Sequence, residues 1–285
     1  MRHKFHLLSF LFAALAFTVQ AKDEAPAPVD AGPYVPSPSS VVADMLTLAE
    51  VGPKDFVIDL GSGDGRIVLT AAKVFGARGF GVDINEKLVK EANDSARQQG
   101  IADRASFTIQ DLFKTDIRKA TVVTMYLLPK TVNMLKEKLL TELRPGTRIL
   151  SHDYPLSEWE AADTRHFDLD DKVAITGVTT TLIFKYIVPA KAEGIWSVKL
   201  PQNLSKEPVR LSIRQYRVSL VSGSARVNGK DVDLESPKLK GEYLTFRLPI
   251  GGRTYDFTGT VKNEVMAGSV DISGAKAAWS AAPAK

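Results

Sequence analysis

The chain has 285 residues, of which 44% are hydrophobic and 25% charged, enough for one medium domain and a small one. It has no cysteine, which excludes a disulfide framework. The formal charge of +4 falls to +2 once Arg2 and Lys4 are set aside as part of a leader, so nothing argues for a nucleic-acid partner. Residues 1–21 have the parts of a secretory signal peptide: a positive start, an almost wholly apolar run at 7–19, and small residues for cleavage at Val19-Gln20-Ala21. That run is short for a span of about 20 residues. No stable membrane span is expected once the leader is removed, and an uncleaved anchor is the alternative. Either arrangement places the body of the chain outside the cytoplasm, as an exported or periplasmic protein.

Residues 22–40 form a Pro/Ala-rich linker. Within it, Gly32-Pro33-Tyr34-Val35-Pro36-Ser37-Pro38 sets an aromatic between prolines, a stiff segment of polyproline type. A helix is predicted over 41–51, with Ser39 or Ser40 as its cap. Next comes Val57-Ile58-Asp59-Leu60-Gly61-Ser62-Gly63-Asp64-Gly65-Arg66, an apolar run that ends in a carboxylate and breaks into alternate glycines. Glycines allow a tight turn and a close approach of backbone to ligand. A nicotinamide-binding loop wants glycine at its first, third and sixth positions, and the sixth here is Arg66. A helical pattern follows at 67–75, then a strand, Arg78-Gly79-Phe80-Gly81-Val82-Asp83. Asp83 lies 20 positions after Gly63, placed to bind both hydroxyls of a ribose.

A helix is expected over 86–99 with Gly100 at its end, and a third strand over 105–110, followed by Asp111-Leu112-Phe113. The Asp59-to-Gly65 spacing and the acidic residues after three successive strands resemble class I S-adenosylmethionine-dependent methyltransferases. The resemblance implies that Gly61 and Gly63 shape the cofactor loop, that the Asp59 carboxylate accepts hydrogen bonds from the cofactor, and that Asp83 holds the ribose. It also implies that Asp111 contacts the adenine amino group while Leu112 packs on the ring.

Further along, a fourth strand is predicted at 121–128, a helix at 130–143 with Val132, Leu135, Leu139 and Leu143 on one side, and a fifth strand at 147–151. Strands near 165–169 and 179–188 complete an α/β, doubly wound, seven-stranded and mostly parallel sheet over 41–189. Pro189 marks a change of pattern. Over 190–285 only alternating runs remain, divided by turns such as Asn228-Gly229 and Gly251-Gly252, which predicts a small C-terminal antiparallel β domain with Trp196 in its core.

Pro33-Tyr34-Val35-Pro36-Ser37 together with Leu127-Leu128-Pro129, the Leu-Arg-Pro-Gly turn at 143–146, and Ser151-His152 ahead of Trp159 narrow the likeness. They resemble the lysine methyltransferases of the mitochondrial ATP synthase c subunit and adenine nucleotide translocase, together with their bacterial relatives. That implies S-adenosyl-L-methionine as cofactor and a lysine side chain of a protein as acceptor. Methyl transfer from a sulfonium needs alignment more than acid–base help, but the acceptor amine must first lose a proton. Aromatic faces suit a methylated ammonium, and Tyr34 and Tyr126 are the candidates for the substrate pocket. His152 and Asp153 follow the fifth strand; His152 reads first as a satisfied structural histidine. No residues have metal-ligand spacing, so no metal is expected. Two other readings stay open: a small-molecule or lipid methyltransferase with the β domain as a lid or cup over the donor, and an exported non-catalytic binding protein. Export conflicts with a donor made in the cytoplasm.

Overall fold

The computed structural model describes residues 34–169, 173, 177 and 179–284. The predicted leader and the first part of the linker, with Gly32 and Pro33, lie outside the described residues. Among those described, no helix is long and apolar enough to cross a membrane.

The first unit alternates strands and helices. Helix α1 (Ser39–Leu48) precedes β1 (Phe56–Leu60), α2 (Arg66–Val74), β2 (Arg78–Asp83), α3 (Glu86–Gln98) and β3 (Ala105–Ile109). A short 3-10 turn (Leu112–Lys114) leads to β4 (Val122–Met125), α4 (Pro129–Met134), α5 (Lys136–Glu142), β5 (Arg148–His152), β6 (Asp163–Asp168) and β7 (Thr180–Ile187). The strands form one seven-stranded sheet in the order β3-β2-β1-β4-β5-β7-β6. All neighbours up to β5 are parallel, and β7 runs antiparallel to both β5 and β6. The chain winds outward from β1 in one direction and from β4 in the other, so the crevice at the carboxyl ends of β1 and β4 is a topological switch point where ligands bind. Fully buried Val57, Ile58, Leu60, Val122, Val123 and Met125 explain why these central strands read as continuous apolar runs.

Several boundaries differ from expectation. Helix α1 begins after Pro38, which holds the cap position without any side-chain cap; Ser39 and Ser40 lie inside the helix. Pro38 is already extended at ψ 149°, and its carbonyl accepts from the Val42 amide at 3.0 Å, so the chain enters the helix directly. Strand β4 stops at Met125 instead of reaching residue 128, because Pro129 opens α4 at its first position and pulls Tyr126, Leu127 and Leu128 out of the ladder. The single helix predicted at 130–143 is divided at Leu135. The amide of Leu135 nonetheless donates to Thr131 and its carbonyl accepts from Leu139. The apolar side survives the division: Val132, Leu135, Leu139 and Leu143 are all buried.

The second unit contains β8 (Gly194–Lys199), β9 (Val209–Tyr216), β10 (Leu220–Val227), β11 (Lys230–Asp233), β12 (Glu235–Lys240), β13 (Tyr243–Ile250), β14 (Arg253–Lys262), β15 (Val265–Ile272) and β16 (Ala275–Pro283). They pair antiparallel in the order β11-β10-β9-β8-β16-β15-β14-β13-β12. The two edges come together, β10 against β12 and β11 against β13, so the sheet curls around its own core. Phe246 and Phe257 stack there at 4.8 Å, with Trp279 edge-on to both. Trp196 is buried in the same core and donates from Nε1 to the Ala192 carbonyl at 3.0 Å, as expected of a core residue. Asn228 and Gly229 both have positive φ and close the β10–β11 hairpin.

The join between the units fixes their polarity. The Ala190 amide donates to the Gly241 carbonyl at 2.8 Å, and Gly241 packs on Ile187 and Gly146. Ile187 pairs with Arg148, the first residue of β5, so this contact lies at the amino ends of the parallel strands. The crevice is at the opposite end. A lid or cup over the donor, one of the sequence-level alternatives, does not match this attachment.

Candidate active site

The switch point opens into a cleft of about 290 Å3 whose lining residues all lie between Tyr34 and Leu127. Its floor is the β1–α2 turn. The amides of Gly61 and Ser62 both donate to the Val82 carbonyl at 2.9 Å, stitching the turn to β2. Gly63 has φ 51°, and the Tyr34 ring lies so close to it that a Cβ there would overlap the ring. Glycine is therefore required twice over at this position, by conformation and by space.

Asp83 ends β2 at the rim. Its Oδ2 accepts from the Gly63 amide at 2.8 Å and its Oδ1 from the Asn85 amide at 2.9 Å. Each oxygen keeps a further lone pair, so the carboxylate is held in place while still able to accept from a ligand. Asp111 caps the 3-10 turn, with Oδ1 accepting from the Phe113 amide at 2.8 Å, and Leu112 is buried behind it. Asp83, Asp111 and Leu112 all line the cleft. Ile84, Gln110 and Leu88 join them there and were not picked out from the sequence. Ile84 is 46% exposed and follows the strand-end acid directly, a signal that could have found it.

Asp59 lies deeper, only 2% exposed, and accepts from the Thr124 hydroxyl at 2.7 Å. Burial pushes its carboxyl up to about 7; the Thr124 bond works the other way, and the charges of Asp83 and Asp64 add to the rise.

A strap formed by Tyr34, Val35, Pro36 and Ser37 lines the near side of the cleft. Asp64 and Arg66, both missed from the sequence, fasten it. Arg66 pairs with Asp64 at 2.6 Å and donates from its other guanidinium nitrogen to the Ser37 carbonyl at 2.7 Å. Burial works to raise the Asp64 carboxyl, but the Arg66 hydrogen bonds and charge outweigh it and hold the group below the usual range. The Tyr34 phenol is raised by burial and by the Asp64 charge, so it stays neutral.

Tyr126, just beyond β4, donates from its hydroxyl to Asp153 Oδ2 at 3.1 Å. Burial first and the Asp153 charge second raise its phenol well above the ordinary value. Its ring lies 3.9 Å from that of His152. His152 is buried, outside the cleft lining, with Nδ1 2.8 Å from Ser37 Oγ. Tyr34 and Tyr126, proposed together from the sequence, thus face one cleft.

Carboxylates at two positions along the rim, apolar Ile84 and Leu112 beside them, and further acids at the base suit a nucleoside whose remainder carries positive charge. The neutral phenols of Tyr34 and Tyr126 line the same cleft.

The chain is similar to several known proteins. Residues 59–163 match a family described as the ANTKMT methyltransferase domain. The chain is 48% identical over 128 residues to a protein-lysine N-methyltransferase of Saccharolobus islandicus (strain REY15A), covering 45% of this chain and 80% of that protein. It is 31% identical over 169 residues to the adenine nucleotide translocase lysine N-methyltransferase of Mus musculus, covering 59% of this chain and 69% of the relative. Among solved structures, an RNA methyltransferase from Salinibacter ruber in complex with S-adenosyl-L-homocysteine is 40% identical, with a TM-score of 0.49 over 59% of this chain and 97% of that one.

Proposed function

The chain belongs to the ANTKMT methyltransferase family, and we propose that it transfers the methyl group of S-adenosylmethionine to lysine side chains of a protein. One observation carries the reading: the acid that ends β2 and the acid that follows β3 converge on one cleft with Ile84 and Leu112 beside them, over a glycine turn. In this reading Asp83 accepts from the ribose hydroxyls and Asp111 from the adenine amino group, while Ile84 and Leu112 flank the base. Gly61 and Gly63 let the backbone pass close beneath the ligand. Asp59 offers negative charge toward its cationic part.

When bound, the donor supplies a methyl group on a sulfonium, an electrophile whose leaving group needs no proton. The protein then has to align two reactants, worth about 7–11 kcal/mol of barrier. A lysine amine, with an unperturbed pKa of about 10.4, must reach the site neutral. A nearby cation and exclusion of water both favour that form. Tyr34 and Tyr126 bring aromatic faces and neutral hydroxyls to this end of the cleft, which suits an amine that gains methyl groups. The relatives named as protein-lysine methyltransferases support a protein acceptor.

Calorimetric titration with S-adenosylmethionine tests the donor site. Wild type should bind, and Asp83→Asn should weaken binding about ten- to hundredfold, the loss of charge-assisted hydrogen bonds. An unchanged Kd would remove Asp83 from the proposed role. Incubating the protein with methyl-labelled donor and cell extract tests the acceptor. Label should be recovered as methyllysine after protein hydrolysis; label confined to solvent-extractable material would overturn the protein-lysine assignment.

A further inference from the structure

Tyr126 lines the end of the cleft that the acceptor nitrogen enters on the reading above, and its surroundings decide which way its hydroxyl points. The hydroxyl donates to Asp153 Oδ2 at 3.1 Å, and Asp153 Oδ1 accepts from the Leu182 amide at 3.1 Å. A phenol has one proton, so a hydroxyl that has donated it has only lone pairs left to offer. Burial and the Asp153 charge both oppose ionisation, which keeps that proton on Tyr126. The ring has little freedom to turn. It lies 3.9 Å from the His152 ring, His152 Nδ1 is 2.8 Å from Ser37 Oγ, and the Ser37 carbonyl accepts from Arg66 at 2.7 Å. Residues 115 positions apart in sequence thus brace one phenol.

We infer that Asp153 is a positioning residue for the acceptor amine: by accepting the Tyr126 hydrogen bond it leaves the phenolic oxygen to act as an acceptor facing the cleft. That oxygen receives an N–H of the incoming amine and aims the nitrogen lone pair along the axis of methyl transfer. His152, Ser37 and Arg66 keep the ring in place. The same arrangement discriminates among acceptors, because a carboxylate brings no proton for the oxygen to accept and is repelled by Asp153. No proton leaves Tyr126 in this role. The inference rests on the proposed transferase reading and adds the group that orients its second substrate.

Sinefungin tests it without an identified acceptor, because this donor analogue carries a primary amine where the sulfonium methyl stands. S-adenosylhomocysteine lacks that amine and serves as the control. Wild type should bind sinefungin about ten- to hundredfold more tightly than S-adenosylhomocysteine, the difference being one hydrogen bond from a charged donor. Asp153→Asn should abolish the preference and leave the S-adenosylhomocysteine Kd within about twofold. The reason is directional: the asparagine oxygen must keep accepting from Leu182, so its amide nitrogen donates to the phenolic oxygen, and the phenolic O–H turns into the cleft as a donor that opposes an incoming N–H. Asparagine also tolerates the left-handed backbone at this position, φ 63°, so the variant should fold. Tyr126→Phe should lose the preference equally, and the double variant no further. A preference retained in Asp153→Asn, or absent from wild type, overturns the inference. Failure of S-adenosylhomocysteine itself to bind wild type would instead sink the donor assignment.

Discussion

At Asp59 a carboxyl group is sealed from solvent with a threonine hydroxyl as its partner and two further acids nearby. An unfolded aspartate titrates near pH 4, and burial moves this one to about 7. Between those values the folded chain holds a proton that the unfolded chain has already released. Stability of the donor-free protein therefore falls as pH rises across that window, by on the order of a few kcal/mol. Thermal melts at pH 5 and pH 8 should show Asp59→Asn losing less stability than wild type; equal losses would mean that the buried carboxyl carries no such cost. A cation in the cleft favours the ionised form, so donor should protect the wild type most at the higher pH. Asp83 makes a different point at the same scale. Its carboxylate braces the glycine turn and α3 through two backbone amides before any ligand arrives. On the proposed reading a substitution there loosens the protein as well as the ligand, which is why asparagine, keeping size and one acceptor oxygen, is the informative replacement.

At the scale of elements, the cleft depends on how helices start. The Asn85 side chain caps α3, accepting from the amides of Lys87 at 3.1 Å and Leu88 at 3.2 Å. Its own amide is held by Asp83, so the end of β2 and the beginning of α3 form one hydrogen-bonded corner at the rim. Asn85→Ala should cost about 1 kcal/mol in urea unfolding, with a measurable weakening of donor binding because the corner carries Asp83. No change in either quantity would show the cap to be dispensable. Strand β4 illustrates how a boundary shapes the cleft. Had it continued to residue 128, Tyr126 would be tied into the ladder; Pro129 ends it early, and Tyr126 reaches the cleft instead.

Taken whole, the molecule sets its cleft and its second unit at opposite ends of the first sheet. The cleft occupies the carboxyl ends of β1, β2 and β4, while the β8–β16 unit attaches beside Gly146 and Ile187 at the other end. The second unit has its own aromatic core of Trp196, Phe246, Phe257 and Trp279. Phe257 is 1% exposed and stacks on Phe246, so Phe257→Ala should destabilise that unit by about 3–5 kcal/mol. Donor affinity, measured by calorimetry below the unfolding transition, should stay within about twofold. A large loss of affinity would indicate that the unit shapes the cleft after all.

The Asp59–Gly65 turn, Asp83, and the Asp111-Leu112 pair could be read along the chain because each depends on a few consecutive residues: a strand end, a turn that only glycine permits, an acid at the edge. The alternation of apolar runs likewise announced two kinds of sheet. Periodicity says which face of a strand is buried, but it does not say what stands opposite. Ser37 against His152, Tyr126 against Asp153, and Arg66 reaching back to the strap are meetings of distant segments. So is the docking of Gly241 on Gly146. Those distances are set when the strands pair in the order β3-β2-β1-β4-β5-β7-β6 and the sheet packs, since the free energy that fixes them comes from burial shared across the whole core and from no single stretch of chain.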